Sequence, residues 1–241
     1  MKKLCLVLLL IAATGVLYAQ IGFGPEVGAG MSTFKFAPPT YPIDYTQASV
    51  SAVWSAKVGM VLDAPINKHM YFQVGVSISK KGCVRNFSYY RNDSFNEAVQ
   101  QTLSLFYGEV PLSLVYKTGM QGKGRVTLGI GATPSYLLGG QNKLQDHEVY
   151  NDTTINTNGR YPLVLGRTLH GFDIGLNLSA GYELPTGLFF KVYYCPGVND
   201  IGIATELDKN RVWGISAGYL FGNGRNINND TDDLIDRSTD K

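Results

Sequence analysis

The feature that most constrains this chain is a strict alternation of apolar residues with polar or small residues. Between positions 167 and 184, seven apolar residues share one parity, while glycine, serine, asparagine and two acidic residues occupy the other. A helix would mix these two sets on every face, whereas a strand places one set on each side. The segment is therefore predicted to be a β-strand that separates two different environments.

The same period of two recurs along the chain, in stretches that are separated by turn residues. It gives eight candidate strands, and an even number of strands, with eight as the smallest, is typical of bacterial outer-membrane barrels. The expected fold is all-β: an eight-stranded antiparallel transmembrane β-barrel over residues 20–222. The candidate strands are 21–36, 52–62, 69–81, 102–117, 125–138, 167–184, 187–197 and a last stretch that ends at Phe221; the first, fourth and seventh are the least regular.

Composition agrees with a barrel and argues against a helical membrane protein. The mean hydropathy is −0.03, as expected when lipid-facing and lumen-facing residues alternate. The chain contains 28 glycines in 241 residues, and small residues on the inward parity leave room for larger side chains from opposite strands. A soluble β-sandwich or lipocalin-like barrel is the alternative. It is disfavoured because the polar parity is rich in glycine, and because the apolar parity ends in aromatic residues, as membrane girdles do.

The first nineteen residues are predicted to be a signal peptide. Lys2 and Lys3 precede an apolar stretch, and Leu17-Tyr18-Ala19 forms a small-residue end before Gln20. Removing two of 21 basic residues leaves 21 − 2 = 19, which equals the 19 acidic residues. The mature chain is then formally neutral, and without a basic run it is not expected to bind nucleic acid. Cys83 and Cys195 are too few for a disulfide framework, so we expect two thiols.

Connector lengths predict how the barrel is oriented. Short links at 63–69, 118–124 and 184–187 alternate with long segments at 37–51, 82–100, 139–166 and 199–210. Periplasmic turns are short and extracellular loops are long in outer-membrane barrels. Three periplasmic turns, four long outer loops and two periplasmic termini are therefore expected. Residues 223–241, which are polar and almost free of apolar side chains, are predicted to be a disordered periplasmic tail.

Charged residues on the inward parity are the candidate functional residues. A charge in a narrow, poorly hydrated lumen is costly unless it is paired, so we predict a plug of salt bridges and hydrogen bonds with negligible conductance. The alternative places some of these groups at the wet rims of the barrel. The predicted lumen charge network consists of Glu26, Lys57, Glu109, Lys117, Arg125, Asp173, Glu183 and Lys191.

Catalytic patterns were weighed and give no expected catalytic, cofactor-binding or metal site. Gly214-Ile215-Ser216-Ala217-Gly218 matches a nucleophile elbow, but it lies within a predicted strand instead of at a strand-to-helix turn. His69, His147 and His170 are isolated in turns, loops or strand ends. They leave a lipid-modifying hydrolase as the least favoured alternative.

Aromatic and arginine residues are frequent in the predicted outer loops. Tyrosine and arginine are enriched at interface hot spots, so surface binding is one hypothesis. Exposed loops are generally rich in tyrosine, however, and ordinary loop structure is the favoured interpretation. The residues are Tyr41, Tyr45, Phe87, Tyr89, Tyr90, Phe95, Tyr150 and Tyr161, beside Arg85, Arg91 and Arg160.

The order of several short motifs resembles that of a known family. The motifs are Val27-Gly28-Ala29-Gly30-Met31-Ser32, Tyr107-Gly108-Glu109-Val110-Pro111-Leu112, the segment from Gly129 to Leu138, Phe172-Asp173-Ile174-Gly175 with Gly181-Tyr182-Glu183, and Asn210-Arg211-Val212-Trp213 with Gly218-Tyr219-Leu220-Phe221. Together they resemble the PorT-like outer-membrane β-barrel family of Bacteroidetes-type bacteria. The resemblance implies an eight-stranded outer-membrane barrel of mostly unassigned function, with a namesake that takes part in protein secretion.

The expected function is that of an integral outer-membrane protein with a closed, side-chain-filled lumen. It would act as a structural or interaction module, including a secretion-accessory one; a small porin-like conduit is the alternative, followed by a hydrolase of lipid A or phospholipid. Expected partners are outer-membrane lipid, the barrel-assembly machinery during insertion, and an envelope or secretion-system protein. No nucleic acid and no cofactor are expected, and the protein is expected to be a monomer.

Overall fold

The structure, a computed structural model, describes residues 21–35, 45–92, 95–119, 123–150, 153–162, 170–201 and 209–222. The predicted signal peptide and polar tail lie outside these residues and stay predictions. Within the described ranges, no helix is long and apolar enough to cross a membrane. The strands are β1 (Gly22–Lys35), β2 (Tyr45–Pro65), β3 (Met70–Asn92), β4 (Phe95–Glu109), β5 (Leu112–Lys117), β6 (Arg125–Tyr150), β7 (Thr153–Pro162), β8 (Phe172–Glu183), β9 (Leu188–Pro196) and β10 (Lys209–Tyr219).

The strands close into an antiparallel ring. Strand β1 pairs with β2 on one side and with β10 on the other, and the ring continues through β3, β4 with β5, β6, β8 and β9. Strands β4 and β5 share one position because they are two segments of one strand, interrupted at Val110 and Pro111. The predicted all-β antiparallel barrel is confirmed, and the ring of described strands has eight positions.

The pairing register sets the width of the barrel. Following paired residues once around the ring from Trp54 returns to β2 at Ala64, a stagger of 64 − 54 = 10 residues. Eight strands with this stagger tilt by about 40° and give a backbone radius of about 8 Å. Side chains alone can fill such an interior. The path runs through Trp54, Met31, Trp213, Tyr194, Leu178, Ile130, Leu114, Phe72 and Ala64.

The two faces of the barrel differ as the alternation predicts. In β8, Phe172 is 50% exposed on the outside, whereas the next residue, Asp173, is 1% exposed inside. The same division holds in β2, β3 and β6, and in β1 the even-numbered residues point inward as far as Phe34. An apolar outer face around a polar lumen is the reverse of a soluble barrel.

Exposed aromatic side chains form two belts on the outer face. One belt surrounds the end at which β2 and β3, β5 and β6, and β8 and β9 are joined by few residues, which we call the hairpin end. The other belt lies toward the opposite, extended end. Such belts mark the two membrane–water interfaces of an outer-membrane barrel. The first contains Phe23, Phe72, Tyr116, Tyr182, Phe190 and Phe221; the second contains Trp54, Phe106, Tyr136, Phe172, Tyr194 and Trp213.

The extended end differs from the sequence prediction. Much of the segments 37–51, 82–100 and 139–166, predicted to be loops, forms strands, so the loop prediction is wrong for those described residues. Backbone hydrogen bonds continue a β-ladder where both faces meet water, although the hydropathy alternation fades there. We call the resulting five strands the projecting sheet: residues 45–52 of β2, 83–92 of β3, 95–105 of β4, 139–150 of β6, and β7, in that spatial order.

Close backbone approach explains two of the glycines. A Cβ on Gly131 would lie 1.9 Å from the Leu112 carbonyl oxygen, and one on Gly75 would lie 2.9 Å from Pro111 Cγ. Proline has no N–H to donate to a neighbouring strand. The ladder is maintained there because the Gly75 N–H donates to the Pro111 carbonyl oxygen at 2.8 Å, and the Val110 N–H donates to that of Pro134 at 2.9 Å.

Candidate functional site

The hairpin-end cluster is the most buried set of charges in the lumen: Asp63, Tyr71, Lys117, Arg125 and Glu183, each at most 5% exposed. Lys117 Nζ donates to Asp63 Oδ2 and, at 2.7 Å, to Glu183 Oε2. Arg125 donates to Glu183 Oε1 at 2.5 Å and to the Tyr71 hydroxyl at 2.7 Å. Two cations thus face two carboxylates, which offsets the cost of removing them from water.

The positions of the strand ends explain why these charges meet. Strand β5 ends at Lys117, β6 begins at Arg125 and β8 ends at Glu183. All three side chains occupy inward positions, so the closing residues of two hairpins lie on one level of the lumen. The Tyr71 ring lies 4.2 Å from Lys117 Nζ, a cation–π contact that shields the ammonium further.

The middle cluster consists of Glu26, Lys57, Lys191 and Gln73. Glu26 forms ion pairs with both lysines, with Nζ to carboxylate distances of 2.6 Å for Lys57 and 2.9 Å for Lys191. Gln73 connects this cluster to the hairpin end, because its oxygen lies 3.4 Å from Lys191 Nζ and its Nε2 donates to Asp63 Oδ1 at 3.2 Å. The side chains of Lys57 and Glu26 are 18% and 11% exposed, which leaves this pair more accessible to water than the hairpin-end cluster.

The extended-end cluster contains two separate groups of polar residues, one around Glu109 and one around Asp173. Lys81 Nζ lies 2.7 Å from Glu109 Oε1, and the Ser77 hydroxyl donates to Glu109 Oε2 at 3.3 Å. The Asn210 amide donates to Asp173 Oδ2 at 3.3 Å. The pairing of Glu109 with Lys81 joins neighbouring strands β3 and β4 inside the barrel.

An apolar cap lies beyond the extended-end cluster. It fills the inside of the barrel where the ring passes into the projecting sheet, and it adds an apolar layer to a plug that was predicted to be polar. Cys83 belongs to this layer and carries a thiol, as does the half-buried Cys195. The cap consists of Phe34, Cys83, Leu103, Leu105, Tyr107, Leu137 and Ile201.

Two small cavities lie between the clusters in the described part of the lumen. Their volumes are about 20 and about 40 Å³, and both are lined by Lys57, Pro111, Asn177 and Tyr193. A cavity of about 10–15 Å³ is enough for one water molecule. Each of these two cavities therefore has room for water molecules between the middle and extended-end clusters.

The structure places all eight residues of the predicted network inside the barrel and divides them among the three clusters. It brings Glu26 to Lys57 and Lys191, and Glu183 to Lys117 and Arg125. Among the described residues, Glu109 and Asp173 form no ion pair with a predicted member; they contact Lys81 and Asn210 instead.

Sequence reasoning missed Asp63, Tyr71, Gln73, Lys81 and Asn210 as network members. The parity of Asp63 continues that of Lys57 in β2, and the parity of Lys81 continues that of Gln73 in β3. The limits of the predicted strands were set where the apolar alternation ends. Lys81 is therefore the last residue of one predicted strand, and Asp63 lies one residue beyond the end of another. Extending the alternation by one or two residues would have found them.

The aromatic and arginine positions of the predicted outer loops have mixed outcomes. Arg85 is buried, at 7% exposure, so its expected display in an outer loop is wrong; it lies inside the projecting sheet, on the inward parity of β3. Tyr161 is exposed on β7. Tyr41 lies outside the described residues.

The three histidines lie far apart in the chain's architecture. His69 is in the turn before β3, with its ring nitrogen 3.1 Å from the Lys117 carbonyl oxygen. His147 contacts Asn156 Oδ1 at 2.5 Å within the projecting sheet, so its predicted loop is a strand, and His170 precedes β8. Within the described ranges, no group of three or more His, Cys, Asp or Glu side chains is arranged to hold a metal ion.

Comparisons with known proteins give one family and several similar barrels. The family described as "Outer membrane protein beta-barrel domain" matches residues 18–202. No curated protein matches the chain. Among solved structures, Neisserial surface protein A is 12% identical, with 83% of this chain and 97% of that chain covered and a TM-score of 0.37. Ail of Yersinia pestis, in complex with the heparin analogue sucrose octasulfate, is 14% identical, with 83% and 99% covered and a TM-score of 0.35.

Proposed function

The chain belongs to the outer membrane protein beta-barrel domain family, and from this membership we propose that it acts as a structural and interaction module of the outer membrane. Its barrel anchors the chain in the bilayer and carries no solute, and its projecting sheet meets partners. An envelope protein or a secretion assembly is the expected kind of partner. The protein works as a monomer and has no catalytic role.

The observation that carries this proposal is the filling of the lumen. Three charged or polar clusters and an apolar cap follow one another along the axis, and two cavities between the clusters among the described residues measure about 20 and about 40 Å³. A solute conduit would require the ion pairs of Lys117 and Glu26 to separate together, at a high cost for buried charges. The surface outside the bilayer is therefore the better candidate for function.

The proposed orientation places the hairpin end in the periplasm and the projecting sheet outside the cell. The support is the difference between the two ends, since outer-membrane barrels have short periplasmic turns and longer extracellular connections. In a Cys83→Ala, Cys195→Ala background, Thr157→Cys should react with a membrane-impermeant maleimide on intact cells. Asn67→Cys should react only after permeabilisation. If Asn67→Cys reacted on intact cells and Thr157→Cys did not, the orientation would be the opposite of the one proposed.

A photo-crosslinking experiment tests the interaction role. Ile155 on β7 and Ile130 on the lipid-facing side of β6 are both exposed, at 51% and 57%, and form a matched pair. Benzoylphenylalanine at Ile155 should yield a discrete protein adduct in cells, whereas the same residue at Ile130 should not. No adduct at Ile155, or the same adduct from both positions, would contradict the proposal. Comparing the full chain with a form that ends at Gly222 tests whether residues 223–241 are needed for the adduct to form.

The lipid-hydrolase alternative has its own test. Purified protein should release no acyl chains from lipid A or phospholipid. Release that His147→Ala or His170→Ala abolishes would overturn the proposal of a non-catalytic protein.

A further inference from the structure

Three cations lie together on the outward face of the barrel at its extended end. Lys35 of β1 is directly paired with Lys209 of β10, and Arg211 is paired with Thr33. All three follow the outward parity that nearer the hairpin end carries Met31 and Trp213. We call these three residues the basic triad.

The described residues around the basic triad do not neutralise its three positive charges. Directly opposed side chains on antiparallel strands have Cβ atoms about 5 Å apart, and like charges there are destabilising. Among the residues that the structure describes, no carboxylate forms an ion pair with Lys35, Lys209 or Arg211. Five acidic side chains of the barrel are buried in the lumen instead: Glu26, Asp63, Glu109, Asp173 and Glu183. Binding of an anion from outside the barrel would relieve this repulsion.

Neighbouring aromatic residues give the depth of the triad relative to the bilayer. Trp213, two residues after Arg211, is paired with Met31, which is in turn paired with Trp54. Trp54 is 74% exposed, and tryptophan side chains on the outer face of a barrel lie at the membrane–water interface. Arg211 is two residues from Trp213, which is about 7 Å along the strand, and the Lys35–Lys209 pair is four residues from it, which is about 13 Å. The triad therefore extends from the level of the lipid headgroups outward.

An apolar groove of about 680 Å³ lies on the lipid side of these residues. It runs along the outward face of β1, β10, β9 and β8, and small side chains, Ala29, Ala180 and Ala217, form part of its lining. Ala29 and its partner Ile215 are the next outward pair after Met31 and Trp213. The groove therefore begins immediately below the tryptophan level and extends toward the hairpin end.

We propose that this region binds a phosphorylated glycolipid of the outer leaflet. The basic triad contacts a phosphate group, and one acyl chain lies in the groove below Trp213. Charge-assisted hydrogen bonds from lysine and arginine to phosphate are strong, and apolar contact in the groove adds affinity that a free phosphate ion lacks. The inference rests on the proposed orientation, because only an extended end outside the cell meets the outer leaflet.

A binding titration tests the site with the full-length protein in phosphatidylcholine nanodiscs. The probe is bisphosphorylated lipid A, and the readout is the emission of the two tryptophans of the chain, Trp54 and Trp213, which lie near the triad. Saturable binding is expected. Lys35→Gln, Lys209→Gln and Arg211→Gln together should weaken it at least tenfold.

Matched variants separate this site from general charge effects. Lys35→Arg with Lys209→Arg keeps the charge and should keep the affinity. Lys80→Gln with Lys123→Gln removes two exposed cations elsewhere on the barrel and should leave affinity unchanged. Ala217→Phe fills the groove and should weaken the binding of lipid A without removing a charge. Wild-type affinity in the folded triad variant would overturn the proposal.

Two further probes identify the ligand chemistry. Lipid A without phosphates should bind at least tenfold more weakly, and inorganic phosphate alone should give no saturable signal at millimolar concentration. Equal binding of dephosphorylated lipid A would overturn the phosphate contact, and saturation by inorganic phosphate would make the triad an ion site instead. Failure of the proposed function is distinguishable, because it would appear as reversed labelling or steady conductance in a protein that still binds lipid A.

Discussion

The hairpin-end cluster and the middle cluster use the same chemistry in different surroundings. Lys117 and Asp63 each have side chains 1% exposed, and every charge around them has an opposite partner. Glu26, in contrast, is shared between Lys57 and Lys191, and two water-sized cavities adjoin this group. Ion pairs of the same kind are thus closely packed at one level of the lumen and border cavities large enough for water at the next. We call the first cluster dry and the second hydrated.

This difference indicates that ion pairs in one lumen need not contribute equally to the stability of the barrel. Breaking a buried pair leaves an uncompensated charge and is strongly destabilising, whereas a partly hydrated pair contributes little. The balance of charges also differs, because the middle cluster holds one carboxylate and two lysines. The dry cluster should therefore tolerate substitution much less than the hydrated one.

The largest effect is expected for Lys117→Met. Asp63 and Glu183 would lose their shared ammonium in a dry site, and the free energy of unfolding should fall by about 3–5 kcal/mol. Urea unfolding of the protein in lipid vesicles, followed by tryptophan emission, measures this change. Lys123→Met, which removes an exposed lysine from the same end, is the control and should change stability little.

A double variant makes the same prediction sharper. Lys117→Met with Asp63→Asn removes one charge of each sign and leaves Glu183 paired with Arg125. Most of the lost stability should return, because no carboxylate is then left unpaired. A double variant no more stable than Lys117→Met would show that charge balance is not what holds this end together.

A smaller effect is expected for Lys57→Met in the middle cluster. Glu26 keeps Lys191, and the adjoining cavities can supply a water to the vacated oxygen, so the loss should stay below about 1 kcal/mol. The same unfolding measurement applies. A loss as large as that of Lys117→Met would remove the distinction between the two clusters.

The smallest effect concerns the contact between the clusters. Gln73 is the described side chain that bridges Asp63 and Lys191, through hydrogen bonds of 3.2 and 3.4 Å. A double-mutant cycle between Asp63→Asn and Lys191→Met should give a coupling of about 0.5 kcal/mol that disappears in a Gln73→Leu background. Coupling that survives Gln73→Leu would mean that the clusters interact by another route.

Alternation in the sequence was enough to predict the barrel and its inward charges. Two solvents on the two faces of a strand impose a period of two, and Glu26, Lys57 and Glu183 all follow it. Partners could not be predicted in this way, because they depend on the stagger of ten residues around the ring. The contact between Glu109 and Lys81 of the adjacent strand depends on how the two strands are paired. The alternation within either strand alone does not predict it.

The projecting sheet was missed for a different physical reason. Beyond the lipid both faces of a strand meet water, so hydropathy no longer alternates at His147 or Ile155, although the hydrogen-bonded ladder continues. The apolar cap was missed because Phe34, Leu103 and Leu105 lie in two of the three least regular predicted strands, 21–36 and 102–117. Inward apolar residues there blur the pattern from which strands are recognised.

Single-channel recording in a planar lipid bilayer tests the central claim, a closed lumen, most directly. Wild-type protein that has folded and inserted should give no steady conductance above the bilayer baseline, because the hairpin-end cluster and the apolar cap both close the barrel. Reproducible, long-lived channels from the wild-type protein would contradict the account and favour a small solute conduit.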